Sequence, residues 1–313
     1  MSNQQQTTTR KVVAIGETIM DILFKNRQPV AAVAGGSSFN SMVSIGRSGL
    51  PCSFVGYTGE DFVGRQIVEF MEANGIGTEF FEVRSGEKSA ISLAYLDDAG
   101  DANYVFYKST PSVRPGWKVP SFGRDDVMLY GSYYAVCDGM REQVEEVQRR
   151  AVEANSIIYY DLNFRRSHQH ELEHLLPNIH ANFRVSTIVR GSADDFEVMY
   201  GTRDARTIYE RHIREYCPLF ICTAGGGEIA ICTPTATHTF AAPRIADVVS
   251  TVGAGDNFNA GFICALLRYG VTRDMLPTLT REGWQQLVDM GCRYAGAVCR
   301  STDNYVPVGF EVD

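Results

Sequence analysis

Apolar positions along the chain fall into short buried runs that alternate with longer segments of helical spacing. Lys11–Gly16 (KVVAIG) reads as a strand ending in glycine, and Cys52–Tyr57 as a second short strand. Between them Asn40–Ser48 begins a helix rich in small residues, closed by Leu50–Pro51. Gly64–Asn74 is a further helix, with Gly75 in the position that usually ends one. Later strands are expected at Val127–Tyr130, Ser156–Asp161, Thr187–Val189, Leu219–Thr223 and Ile229–Cys232. Helices are expected over Met140–Ala154, from Asp194 to Tyr200, and over Asn257–Tyr269 and Trp284–Val298. Such alternation predicts an α/β fold with a mainly parallel sheet covered on both faces.

One stretch breaks the order. In SAISLAYLDDAGDANYVFYK, from Ser89 to Lys108, two β-rich runs flank DDAG, the pattern of an antiparallel hairpin. It is expected to form a small β subdomain attached to the sheet, joined by strands from Leu23–Ala34. No internal repeat or low-complexity linker is visible, and the polar N-terminus is expected to be unstructured.

The 313 residues are within reach of one large α/β unit. The net charge of −8 argues against a nucleic-acid surface or an anionic-membrane anchor. MSNQQQTTTR has no apolar core of a signal peptide and no run is long enough to span a bilayer, so a cytoplasmic protein is expected. The eight cysteines form no CxxC and sit mostly among Ile, Val or Ala, which suggests buried reduced thiols. No His/Cys spacing suits structural zinc.

The candidate chemistry lies in VVSTVGAGDNFNAGF, from Val248. Gly253, Ala254 and Gly255 precede a helix, and Asp256 follows at once. A helix N-terminus presents unpartnered N–H groups with partial positive charge, and glycines allow an anion close approach. The loop could therefore cradle a phosphoryl group while Asp256 takes a proton from an attacking hydroxyl. Taken alone, the segment is more simply read as a tight turn with a capping acid. A dinucleotide-binding dehydrogenase fits poorly, because no GxGxxG follows the first strand and the glycine loop lies far towards the C-terminus.

VVSTVGAGDNFNAGF closely resembles the C-terminal signature of the ribokinase-like, or pfkB, carbohydrate kinases. AGGSSFNSMVSIGRSGL, from Ala34, resembles that family's sugar-contacting pattern, and GETIMD resembles the end of its first strand. The motifs occur in the family's order and the resemblance covers nearly the whole chain. It implies a ribokinase-like three-layer sandwich formed by residues 1–313 as a single domain. A β lid is implied, with strands within about 23–34 and 88–110. The absence of a Walker GxxxxGK[ST] suits a family that binds ATP without one.

The resemblance also implies roles. Asp256 matches the catalytic base and Gly253–Gly255 the anion hole. Asp21 matches the first-strand aspartate that accepts two sugar hydroxyls, and Gly35, Gly36 and Asn40 the sugar-facing loop, although Asn40 could equally be an N-cap. In DLNFR, Arg165 matches an arginine reaching towards substrate or transferred phosphate. In RGSADDFEVMYG, Ser192 and Asp195 stand where N-x-x-E is usual, and Asp195 would orient the water shell of Mg²⁺. Thr223 and Gly225 match the ATP-side T-x-G. Ser250 replaces a common aspartate and Thr302–Asp303 a glycine–alanine turn, which leaves K⁺ activation open.

The implied function is ATP- and Mg²⁺-dependent phosphorylation of a small sugar, with fructose first because NYVFYK and DLNFR resemble the fructokinase versions. Lys108 could instead pair with a carboxylate, which keeps 2-keto-3-deoxygluconate as an alternative. A nucleoside is set aside for want of an aromatic stacking site beyond the lid. The departures at Ser250, Ser192 and Asp195 motivate a different class, a non-catalytic sugar or nucleotide sensor. Lids of this family often pair, so a homodimer is also implied.

Overall fold

A computed structural model describes residues 10–96 and 102–311. The first nine residues and the DDAG turn of the hairpin lie outside it. The strands are β1 (Val12–Ile15), β2 (Ile19–Lys25), β3 (Gln28–Gly35), β4 (Cys52–Gly59), β5 (Phe81–Arg84), β6 (Ile91–Leu96) and β7 (Ala102–Tyr107). They continue with β8 (Val127–Gly131), β9 (Ile157–Asp161), β10 (Ile188–Ser192), β11 (Phe220–Thr223), β12 (Glu228–Cys232) and β13 (Thr237–Ala241). The helices are α1 (Ser37–Arg47), α2 (Phe62–Ala73), α3 (Arg141–Glu153), α4 (Leu172–Val185), α5 (Ala193–Tyr200), α6 (Ala205–Ile208), α7 (Ala254–Arg268) and α8 (Arg281–Val298).

The main sheet runs β13-β12-β11-β10-β9-β8-β1-β4-β5 and is parallel except for β12 and β13 at one edge. Its central strands are apolar at successive positions because both faces are covered. Val12, Ala14, Val127 and Leu129 join one core with α1, α7 and α8, while Val13, Ile15, Met128 and Tyr130 join the other with α3, α4 and α5. This is the three-layer α/β arrangement expected.

The second sheet has the order β3-β2-β6-β7, with β2 antiparallel to β3 and parallel to β6. Asp21 belongs to β2 of this sheet, whereas the GETIMD motif had suggested the first strand. After β1 the chain leaves the main sheet at Gly16 and enters the smaller one at Ile19.

Two helix expectations change. α1 starts three residues before Asn40 because Gly36, at φ 130°, makes the turn out of β3, and a Cβ there would stand 2.2 Å from the Glu17 carbonyl. Asn40 is thus an interior helical residue, not a cap. α4 was not anticipated because Pro177 interrupts LEHLLPNIHANFRV. Among the described residues no helix is long and apolar enough to cross a membrane. All eight cysteines are unpaired, and all but Cys292 are buried.

Candidate active site

The cleft lies at the carboxyl ends of the parallel strands, beneath the small sheet. Asp21, Gly36, Asn40, Lys108, Arg165, Gly253 and Asp256 line one cavity of about 520 Å³. Residues from five segments of the sequence are therefore brought together. Thr223 and Gly225 stand at the end of β11 and the turn after it, and Asp195 in the first turn of α5, outside this cavity.

Asp256 sits in the first turn of α7, whose N-cap Gly253 has φ 77°. The N–H groups of Gly253, Gly255 and Asp256 have no acceptor among the described residues, as expected of a helix start. Ala254 differs: its N–H turns back to the Thr251 carbonyl at 3.2 Å, so the expected run of three bare amides is interrupted.

The Asp256 carboxylate is fixed from α1. Ser37 Oγ donates to Oδ1 at 2.7 Å and Asn40 Nδ2 to Oδ2 at 2.8 Å, while Ser41 Oγ donates to the Asp256 carbonyl at 2.7 Å. Part of the residue remains open to the cleft, yet the packing around its carboxyl is dense. Burial pushes its pKa up to about 6, and the negative charge of Asp161 adds to this. The bonds from Asn40 and Ser37 and the Arg165 charge pull the other way. Such a carboxylate is ionised near neutral pH and more basic than a solvated aspartate.

Asp21 faces Ser92 across the β2–β6 ladder and accepts a hydrogen bond from its hydroxyl. Its pKa is raised by burial, with Ser92 and the Arg165 charge opposing. A Cβ on Gly35 would lie 2.8 Å from Asp21 Oδ2 and 3.7 Å from Asn40 Oδ1, so glycine there leaves room between the two polar groups. Asn40 Oδ1 is buried without a partner. With Nδ2 committed to Asp256, this oxygen is an acceptor left for a ligand.

Lys108 is not an open cation. Its Nζ lies 2.9 and 2.8 Å from the two carboxylate oxygens of Glu17, which comes from the GETIMD segment. Arg165 is exposed at the cleft and its charge acts on both Asp21 and Asp256. An aromatic wall missed in the sequence is also present. Tyr133 and His168 stack with ring centres 4.2 Å apart and both line the cavity, so a stacking surface does exist away from the small sheet.

Asp195 completes a capping box. Its Oδ2 accepts the Ser192 N–H at 2.7 Å and its N–H donates to Ser192 Oγ at 3.1 Å. Burial pushes its pKa up to about 6. Thr223 Oγ1 accepts from Arg190 Nη2 at 2.8 Å. Gly225 has φ 55° in the open turn joining β11 to β12. Among the described residues no three His, Cys, Asp or Glu side chains cluster to hold a metal ion unaided. The Ser250 segment runs beside the chain that leads to Thr302–Asp303, where the Val249 N–H donates to the Cys299 carbonyl at 2.7 Å.

Ser37, Ser92, Glu17 and Arg190 were not singled out from the sequence. Ser37 lies inside the quoted AGGSSFN motif and Glu17 inside GETIMD, so both were within view. Ser92 lies inside the hairpin segment and Arg190 opens RGSADDFEVMYG, but neither sequence context indicates a distant partner.

The model of the pfkB family carbohydrate kinases matches residues 9–308. Aminoimidazole riboside kinase of Salmonella typhimurium is 27% identical over 268 residues, covering 82% of this chain and 81% of that protein. Fructokinase of Rhizobium leguminosarum bv. trifolii is 25% identical over 262 residues, covering 82% and 79%. The fold is shared with a double-mutant fructokinase of Vibrio cholerae O395, solved with fructose, ADP and potassium ion. The TM-score is 0.82 at 16% identity, over 96% of this chain and 95% of that one.

Proposed function

Because the chain belongs to the pfkB family of carbohydrate kinases, enzymes that transfer phosphate to a sugar hydroxyl, we propose that it takes ATP as donor and a neutral sugar as acceptor, with fructose the first candidate. The observation that carries this reading is the Asp256 carboxylate, aimed by Ser37 and Asn40 and set beside the free amides of Gly253 and Gly255.

In this reading Asp21 accepts two hydroxyls of the sugar and Asn40 Oδ1 accepts another donor, which turns the reacting hydroxyl towards Asp256. Asp256 takes the proton as the oxygen attacks the terminal phosphorus, whose bond to the bridging oxygen of ATP breaks so that ADP leaves. The phosphoryl oxygens gain charge, which the N–H groups of Gly253, Gly255 and Asp256 stabilise from the helix start. Arg165 adds a positive charge at the same mouth. Asp195 keeps Oδ1 free of the capping box, which fits an Mg²⁺ ion that carries several waters and is held chiefly by phosphate oxygens. Mg²⁺ would supply charge neutralisation at the nucleotide. Thr223 and Gly225 would flank the nucleotide.

Glu17 bears on the substrate. An acid sugar would have to displace the Glu17 carboxylate from Lys108 or lie against it, so the ion pair favours a neutral acceptor over 2-keto-3-deoxygluconate. The Tyr133–His168 stack favours a second reading, a riboside carrying a planar ring, which could lie on that wall. A sensor without turnover loses part of its motive, since Ser192 and Asp195 together serve the start of α5. On the outer face of the small sheet Val105 and Tyr107 are exposed, which supports pairing of two small sheets in a homodimer.

ADP release with Mg²⁺ and ATP, measured over fructose, 2-keto-3-deoxygluconate, ribose and ribonucleosides, tests the proposal. Fructose should give the highest kcat/KM. A higher value with the acid sugar or with a riboside would replace fructose, and no release with any sugar would reject the proposal.

A further inference from the structure

Arg190, at the end of β10, is a buried cation that the reaction described above does not use. Only 5% of its surface is exposed. Nη1 donates to Asp161 Oδ1 at 2.9 Å on β9, and Nη2 to Thr223 Oγ1 at 2.8 Å on β11. Its Nε is buried and unpartnered. Directly above it is Gly255, where an added Cβ would stand 3.0 Å from Nη2 and 3.2 Å from Nη1. The guanidinium therefore packs against the main chain of the glycine loop, and only glycine lets it come so close. Asp161 ties the same pair to α7 one turn further on, where Asn259 Nδ2 donates to Asp161 Oδ2 at 2.7 Å.

A buried ion pair is weak support for stability in itself, because desolvating both charges offsets their attraction. An apolar pair would fill this position as well if packing were its only role. The charge is placed instead under the helix start whose Gly253 and Asp256 line the cleft, and its second arm reaches Thr223 on the β11 side. Resting on the reading that Gly253–Gly255 receives the transferred phosphoryl, we propose that Arg190 is a positioning residue for the transfer. It holds the main chain of Gly255 at the height the phosphoryl needs and raises the positive potential of that loop from below. It acts through the loop and through Thr223, without touching the sugar.

The test compares wild type, Arg190→Gln, Asp161→Asn and the double variant Asp161→Asn/Arg190→Gln. The double variant leaves neither charge unpaired, so it guards against simple misfolding of Arg190→Gln. Removing Arg190 should lower kcat about 10²-fold, the scale of losing one preorganised donor to a developing charge. That loss should appear both from wild type and from Asp161→Asn, with the KM for sugar unchanged and the thermal midpoint of the double variant at or above that of Asp161→Asn, which alone leaves the buried Arg190 charge unpaired. Arg190→Lys, which keeps charge but not the planar fork, should recover part of the loss. A double variant that turns over as fast as Asp161→Asn would overturn the proposal, because Arg190 would then be only the counterion of Asp161. Asp256→Asn is measured alongside. If it keeps wild-type turnover, the underlying reading of the site fails, independently of Arg190.

Discussion

The floor and the cover of the cleft are built differently. The floor, where α7 meets α1 and the ends of β9–β11, is cross-braced by hydrogen bonds between distant segments. Ser37, Asn40 and Ser41 hold Asp256, and Ser44 Oγ meets Asn257 Oδ1 at 2.5 Å. The cover is one small sheet whose outer strand, β7, exposes Val105, Phe106 and Tyr107 to solvent. Its polar ties across the cleft are few, and Lys108–Glu17 is the most direct. In the proposed function the difference separates two tasks. Groups that must be placed to fractions of an ångström for proton and phosphoryl transfer stand on the braced floor. Groups that choose among acceptors stand on the cover, where a substitution disturbs little else.

The register of the small sheet sharpens the division. Asp21, Ser92 and Phe106 lie opposite one another across three strands and so share the inner face, with Lys108 two residues on from Phe106. Met20, Ile91 and Tyr107 share the opposite face, which packs on the main core at Met20 and Ile91 and is exposed at Tyr107. One sheet thus carries a substrate-facing side and an apolar side.

If that division holds, Asp21→Ala should have the largest effect among changes to the cover. It removes an acceptor of two hydroxyls and should lower kcat/KM for sugar about 10²-fold, on the scale of about 1.5–3 kcal/mol for a charged hydrogen bond. Steady-state kinetics in fructose checks this. The next effect is on the floor. Asp256 must be ionised to accept a proton, and its pKa is pushed up to about 6. Below that pH kcat/KM should fall about tenfold per unit, and it should be level from 7 to 8. Because Asp195 is also raised to about 6, the same limb should persist in Asp195→Asn. A smaller shift is expected from Glu17→Gln, which frees Lys108. The ratio of kcat/KM for 2-keto-3-deoxygluconate to that for fructose should rise about tenfold, a change of about 1.4 kcal/mol. The smallest effect on turnover should come from Val105→Lys/Tyr107→Lys on the outer face. If two small sheets pair as proposed, light scattering should show half the wild-type mass while kcat changes less than about twofold, since surface changes away from a site are generally mild.

The floor was more legible in the sequence than the cover. The glycine loop and Asp256 were legible through the likeness of VVSTVGAGDNFNAGF to a family signature, since Gly-Ala-Gly-Asp alone reads as a capped turn, and the alternation of strands and helices marked the layers. Asp21 was legible as a functional acid but not as a member of the second sheet. Nothing in GETIMD states that the chain changes sheets between Gly16 and Ile19. Asn40 could be read as a cap until Gly36 was seen to make the turn. Ser92 and Arg190 were invisible because their meaning lies in partners 71 and 29 residues away, Asp21 and Asp161. Pro177 concealed α4 because local propensity argues against a helix that tertiary packing nonetheless supports.

The central claim is that Asp256, aimed by α1, deprotonates the acceptor hydroxyl beside the glycine loop. Single-turnover phosphoryl transfer by Asp256→Asn, with fructose binding measured on the same preparation, tests it most directly. The account predicts a loss of about 10³-fold or more in the transfer rate with fructose affinity retained. A transfer rate within tenfold of wild type would contradict it.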